Sequence, residues 1–158
     1  MPDTQYILPL ADTLEERAVS GMITSSGLPV KIVRGQTYDV LACCDLTIVT
    51  SGTATLETGL MGVPMIIIYK LSLVSELICR MIIKPQHIGL VNIIAGKTIV
   101  PELLQRDANG PRIASEALAI LQNSDKKQGM IRELNNIREK LGEPGAARRA
   151  AQIACGMI

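Results

Sequence analysis

Short, mainly apolar runs punctuate the chain at 6–10, 30–33, 46–49 and 65–69, with a weaker one at 88–91. Runs of this length with little polar alternation predict strands covered on both faces, as in parallel sheets. Between them apolar residues recur at helical spacing over 13–25, 38–43, 53–61 and 72–83. Strand and helix thus alternate as in right-handed βαβ units. Strand signals end at Pro101, where the stretch 100–105 predicts a short helix with Glu102 in its first turn, a position at which the helix dipole favours a carboxylate. Surface helices follow at 112–121, 126–141 and 146–153, with Asn123-Ser124-Asp125 as a cap signal and Gly142-Glu143-Pro144-Gly145 as a break. The predicted fold is α/β: a single Rossmann-like domain over residues 1–158, its parallel sheet flanked by helices, with 110–158 as a helical extension packed on it. The first strand starts almost at residue one and no G-x-G-x-x-G turn occurs. Doubly wound domains ordinarily carry that turn after their first strand, so either the fold starts differently or an earlier strand is missing.

The segment Ser51-Gly52-Thr53-Ala54-Thr55-Leu56-Glu57 joins the 46–49 strand to the next helix. A strand, a small-residue turn and a helix N-terminus form an anion site, because the first helical N–H groups lack partners and carry the positive end of the dipole. Ser51 or Thr53 fits both a helix cap and a phosphate ligand, since the two use the same geometry. Glu57 lies one turn beyond Thr53, roughly 6 Å along the helix, and carboxylate oxygens match the two hydroxyls of a ribose. The segment points to a nucleotide held by diphosphate and ribose. Taken alone, it also describes a capped turn with Glu57 in solvent.

Neighbouring motifs divide between structure and chemistry. Gly62 reads as a helix stop and Pro64 as a strand start. Lys70 ends that strand on the edge that carries Ser51 and Gly52, where its ammonium fits a phosphate or plain solvent equally. Leu73, Val74, Leu77, Ile78, Met81 and Ile82 form the stripe of an amphipathic helix suited to the core. With Lys70, Arg80 and Lys84 at its ends, the same helix also suits an anionic membrane surface. His87 is the only histidine and has no Ser, Cys or Asp at a diagnostic spacing. Asn92 sits in an apolar stretch, where its amide must bond to a turn or a ligand. Arg148 and Arg149 read as a solvated face.

Composition narrows the classes. A 47% apolar share of 158 residues suffices for a core, and that core is aliphatic because the aromatics are three Tyr. A net charge of +1 without aromatic platforms gives no case for nucleic acid. The four Cys lack CxxC spacing, so reduced thiols of a cytosolic protein are expected and a metal site is not. No basic leader region opens the sequence, and no apolar stretch is long enough to span a bilayer.

Four linked motifs carry a resemblance. The 51–57 segment, Gly62-Val63-Pro64-Met65 with Tyr69-Lys70, Leu90-Val91-Asn92-Ile93-Ile94-Ala95-Gly96, and Val100-Pro101-Glu102-Leu103-Leu104-Gln105 resemble lipid-A-disaccharide synthases in content, order and spacing. The resemblance implies the C-terminal, nucleotide-binding half of a GT-B glycosyltransferase, a fold of two Rossmann-like domains with an inverting reaction that uses no metal or other cofactor. It implies UDP-2,3-diacylglucosamine as donor, 2,3-diacylglucosamine 1-phosphate as acceptor, and a peripheral place on the cytoplasmic face of the inner membrane of Gram-negative bacteria. Carried onto this sequence, it puts Ser51, Gly52 and Thr53 at the diphosphate and Glu57 at the ribose, and it includes Asn92 and Glu102 among the motif positions. The family's general base, in its N-terminal domain, has no counterpart here. The Gly-Ser-Arg turn after the strand that opens the family's C-terminal domain is also without a counterpart, and Val91 stands where Pro is common. Inactivity in isolation is therefore expected, and surface left by a missing domain favours self-association into a homo-oligomer. Two other classes fit the residues: another UDP-sugar glycosyltransferase or epimerase, and a nucleotide-binding domain without chemistry.

Overall fold

The computed structural model describes residues 4–70, 87–142 and 145–157. The helix expected over 72–83, with Arg80 and Lys84, lies outside the described residues. In order, the elements are β1 (Tyr6–Leu10), α1 (Glu16–Ser26), β2 (Val30–Arg34), α2 (Thr37–Cys43), β3 (Thr47–Thr50), α3 (Thr53–Leu60), β4 (Met65–Tyr69), α4 (Leu90–Ala95), β5 (Glu102–Leu104), α5 (Gly110–Leu121), α6 (Ser124–Leu141) and α7 (Ala146–Cys155).

Every pairing among them is parallel. β1 pairs with β2, with Tyr6 opposite Val30. β4 lies between β3 and β5, with Thr47 opposite Met65 and Ile67 opposite Glu102. Among the described residues β1 and β3 are each paired on one side only, so the strands form two sheets rather than one.

Burial follows position in the sheet. Met65, Ile66 and Ile67 of β4 are wholly enclosed, as befits a central strand covered on both faces, where stiff branched side chains pack well. Around them the core gathers Val91 of α4, Leu103 of β5, Ile120 of α5 and Met130 and Leu134 of α6. The β1–α2 portion is thinner: Leu10, Val40 and Leu41 are buried there, and α1 buries no residue. α7 likewise buries none.

Two helices have asparagine caps, of which the sequence announces the one at Asn123. The Asn109 side chain accepts the Arg112 N–H at 3.0 Å, and that of Asn123 accepts the Lys126 N–H at 2.9 Å. Two expectations are corrected. The apolar run 88–91 leads into a helix, α4, instead of a strand, since a short buried run has no period to separate the two. The 100–105 stretch forms β5 instead of a helix. The Ile67 N–H of β4 donates to the Pro101 carbonyl at 2.9 Å, so a backbone needing a partner overrides the local helix-start signal, and Pro101 precedes the strand, where its missing N–H is tolerated.

Candidate functional site

The carboxyl ends of the parallel strands converge at Ser51. Its N–H donates to the Ile68 carbonyl at 3.1 Å, which extends the β3–β4 pairing by one residue. The Gln105 N–H donates to the Tyr69 carbonyl at 2.9 Å, so the ends of β3, β4 and β5 share one edge with Lys70, which is exposed. Open α/β sheets take their ligands at this edge.

α3 starts there, and no side chain caps it. Neither Ser51 nor Thr53 caps it, which corrects the expected cap. The Ser51 hydroxyl donates to the Ile88 carbonyl at 3.2 Å, while Thr53 lies exposed at the first helical position. Thr55 and Thr58, both buried, return their hydroxyls to the Gly52 and Ala54 carbonyls at 2.7 and 2.8 Å. The Thr55 N–H donates back to the Gly52 carbonyl at 3.2 Å; with no side-chain acceptor on the first turn, the Thr53 and Ala54 N–H groups present the positive end of the helix to the strand edge. Glu57 is exposed one turn further along α3.

Asn92 and Glu102, the latter half-buried, come together between α4 and β5. Asn92 is fully buried. Its Nδ2 donates to the Val100 carbonyl at 2.9 Å and to Glu102 Oε1 at 2.7 Å. Its Oδ1 accepts the Ile99 and Val100 N–H groups at 2.8 and 3.1 Å. All four hydrogen-bonding positions of the amide are thus taken. Glu102 receives two more donors: the Ile88 N–H at Oε2, 2.8 Å, and the Gly89 N–H at Oε1, 3.1 Å. Of the two partners the sequence left open for the Asn92 amide, turn or ligand, the structure supplies the turn, and Asn92 keeps neither exposure nor a spare donor. Glu102 is not a first-turn carboxylate; it opens β5 and binds the backbone ahead of α4.

Gly89 is a further residue of this cluster that no motif marks. A Cβ there would collide with Ile67 Cδ1 and lie 3.3 Å from Glu102 Oε1, so the backbone approaches the sheet and the carboxylate more closely than a side chain allows. Its only trace in the sequence is a small residue before an apolar run. His87, half-buried, immediately precedes this pinned segment.

An open cleft of about 370 Å³ lies at the other end of β5, beside Val100 and Pro101. Its two lysines are already engaged, Lys97 with Glu133 at 2.8 Å and Lys126 with Glu116 at 3.4 Å. The uncapped helix N-terminus lies instead at the Ser51 edge. Among the described residues no group of three His, Cys, Asp or Glu side chains is placed to hold a metal. Cys43, Cys44 and Cys155 are free thiols.

A parallel α/β domain with an uncapped helix N-terminus at its carboxyl edge has the build of the C-terminal half of a GT-B glycosyltransferase. The chain belongs to the lipid-A-disaccharide synthetase family, whose model matches residues 1–156. It is 52% identical over 155 residues to the lipid-A-disaccharide synthase of Syntrophus aciditrophicus, a match covering 98% of this chain and 40% of that protein. The enzymes of the same name from Nitrosococcus oceani and Anaeromyxobacter dehalogenans are each 43% identical over 99% of this chain. The chain spans 40% and 41% of their lengths.

Proposed function

We propose that this chain is the donor-nucleotide domain of a lipid-A-disaccharide synthase and holds UDP-2,3-diacylglucosamine by its UDP moiety. The observation that carries the reading is the uncapped N-terminus of α3 at the shared strand edge, in a chain of this family. The acceptor, 2,3-diacylglucosamine 1-phosphate, and the general base belong to the remainder of the longer protein. In the reaction the acceptor 6-hydroxyl attacks the anomeric carbon as the bond from that carbon to the diphosphate breaks. UDP departs with the electron pair, and the base takes the hydroxyl proton.

The charge that grows on the departing diphosphate needs fixed positive partners. The first-turn N–H groups of α3, the Thr53 hydroxyl and the Lys70 ammonium are the groups this chain offers. Glu57 suits the ribose diol, being acceptor-only and one turn away. Neither a metal nor another cofactor enters this scheme.

The edges of β1 and β3, unpaired among the described residues, fit the same reading. A doubly wound sheet ordered 3-2-1-4-5-6 has room for one strand between them, and the rest of the longer protein supplies it. Acylated sugars place the complete enzyme on the cytoplasmic face of the inner membrane as a peripheral protein. No helix among the described residues is long and apolar enough to cross a membrane. Surface that the rest of the protein would cover favours self-association of the chain by itself.

Calorimetric titration with UDP tests the nucleotide reading. Binding by the unaltered chain, weakened about tenfold in Glu57→Ala, corresponds to about 1.4 kcal/mol for the ribose contact. Equal affinity in the variant removes Glu57 from the site, and no binding by the unaltered chain overturns the proposal.

A further inference from the structure

The residues 87–89 belong to neither sheet, yet three hydrogen bonds tie Ile88 and Gly89 to Ser51 and Glu102. The Ile88 and Gly89 N–H groups donate to the two oxygens of Glu102, and the Ile88 carbonyl accepts the Ser51 hydroxyl. Glu102 is held by Asn92, which is fixed by the backbone of Ile99 and Val100. An unbroken path therefore runs from the mouth of α3, through 88–89, to β5 and the start of α4.

We infer that Ser51, Glu102 and Asn92 are positioning residues of the nucleotide site: they form a hydrogen-bonded strut that fixes the segment 87–89 beside the N-terminus of α3 as a rigid wall on its diphosphate side. This rests on the reading of α3 as the diphosphate site. Packing alone would have closed an apolar loop at lower risk, since a buried polar network stabilises only when all its members are satisfied. Here the Asn92 amide is fully matched, and both Glu102 oxygens are engaged. The turn's serine donates its hydroxyl to the wall and does not cap α3, which leaves the Thr53 and Ala54 N–H groups to an anion, while that of Thr55 is held by the Gly52 carbonyl. A wall already ordered spares the ligand the entropy of ordering it.

The strut makes Ser51 and Glu102 act as a unit although only Ser51 adjoins the helix mouth. Affinities for UDP and for uridine, measured by NMR titration on the 158-residue chain, test it with Ser51→Ala, Glu102→Gln and the double variant. Glu102→Asp, which keeps the charge but withdraws the oxygens, replaces Glu102→Gln if that variant does not fold. Each single change should weaken UDP about tenfold and leave uridine unaltered, with the double variant no worse than either single one. A purely structural role would instead lower the unfolding temperature and leave the ratio of UDP to uridine affinity unchanged. Hydrogen exchange without ligand supplies the independent readout, because Ser51→Ala should speed exchange of the Ile88 and Gly89 amides. Additive losses, full UDP affinity in the Glu102 variant, or unchanged exchange at Ile88 and Gly89 overturns the strut while the nucleotide reading stands. No UDP binding by the unaltered chain overturns both.

Discussion

At the scale of single residues, hydrogen-bond valence decides which polar groups face a ligand. Asn92 has two donors and two acceptor positions, and the protein uses them all. Asn92→Ala would leave the Ile99 and Val100 N–H groups and the Val100 carbonyl without this partner, and each buried group so stranded costs about 1–3 kcal/mol. Because part of the loss is recovered by relaxation, a destabilisation of about 3 kcal/mol is expected. Urea denaturation checks it as a fall in midpoint with an unchanged slope; a shift below about 0.5 kcal/mol would contradict the burial argument. The need for a partner was legible in the sequence, since an amide in an apolar stretch must be bonded to something. The choice of protein over ligand was not, because the Val100 backbone and the Glu102 carboxylate meet Asn92 only in the folded chain.

Elements show the same division. The caps at Asn109 and Asn123 depend on neighbours three residues away, so their signals are local and the sequence carries them. The Lys97–Glu133 pair joins the residue after the α4 C-cap to α6 across 36 positions, and no local pattern announces it. The hydrogen bond from Lys97 is the largest cause holding the Glu133 carboxyl below its ordinary value. The sign follows directly. A carboxyl whose folded value is lowered contributes stability that is fully present above its unfolded value and is lost as pH falls through the folded one. Because both partners are substantially exposed, the contribution is small and screened by salt. Lys97→Ala should bring the Glu133 carboxyl titration, followed by NMR, back up toward the usual carboxylate range. An unmoved midpoint would show that Lys97 is not the cause.

The whole molecule is divided by its sheets. β4 has strand partners on both sides and forms the best-buried layer, whereas among the described residues β1 and β3 each present an edge without a strand partner. Unpaired edges are templates for added strands, which suits a domain completed by the remainder of a longer protein. With the general base assigned to that remainder, the purified 158-residue chain should form no disaccharide from the two acylated sugars, even where it binds UDP. Mass spectrometry of the reaction mixture checks this, and any product above the level without protein would sink the division of labour. The parallel α/β class was legible because burial on both faces leaves continuous apolar runs. The break between β1 and β3 is a property of pairing, which no single run of residues encodes.

The sequence by itself determined what depends on near neighbours: the alternation of strands and helices, the asparagine caps, and the small-residue turn that delivers α3 to the strand edge. It also carried family membership, through four motifs in fixed order. Tertiary structure decided what depends on distant partners. It turned 100–105 into a strand because β4 needed a backbone neighbour, and 90–95 into a helix. It drew Ser51 toward Ile88 and enclosed Asn92 against Glu102. The physical reason is that polar side chains bond to whichever complementary groups folding places within about 3 Å, and sequence spacing does not measure that distance.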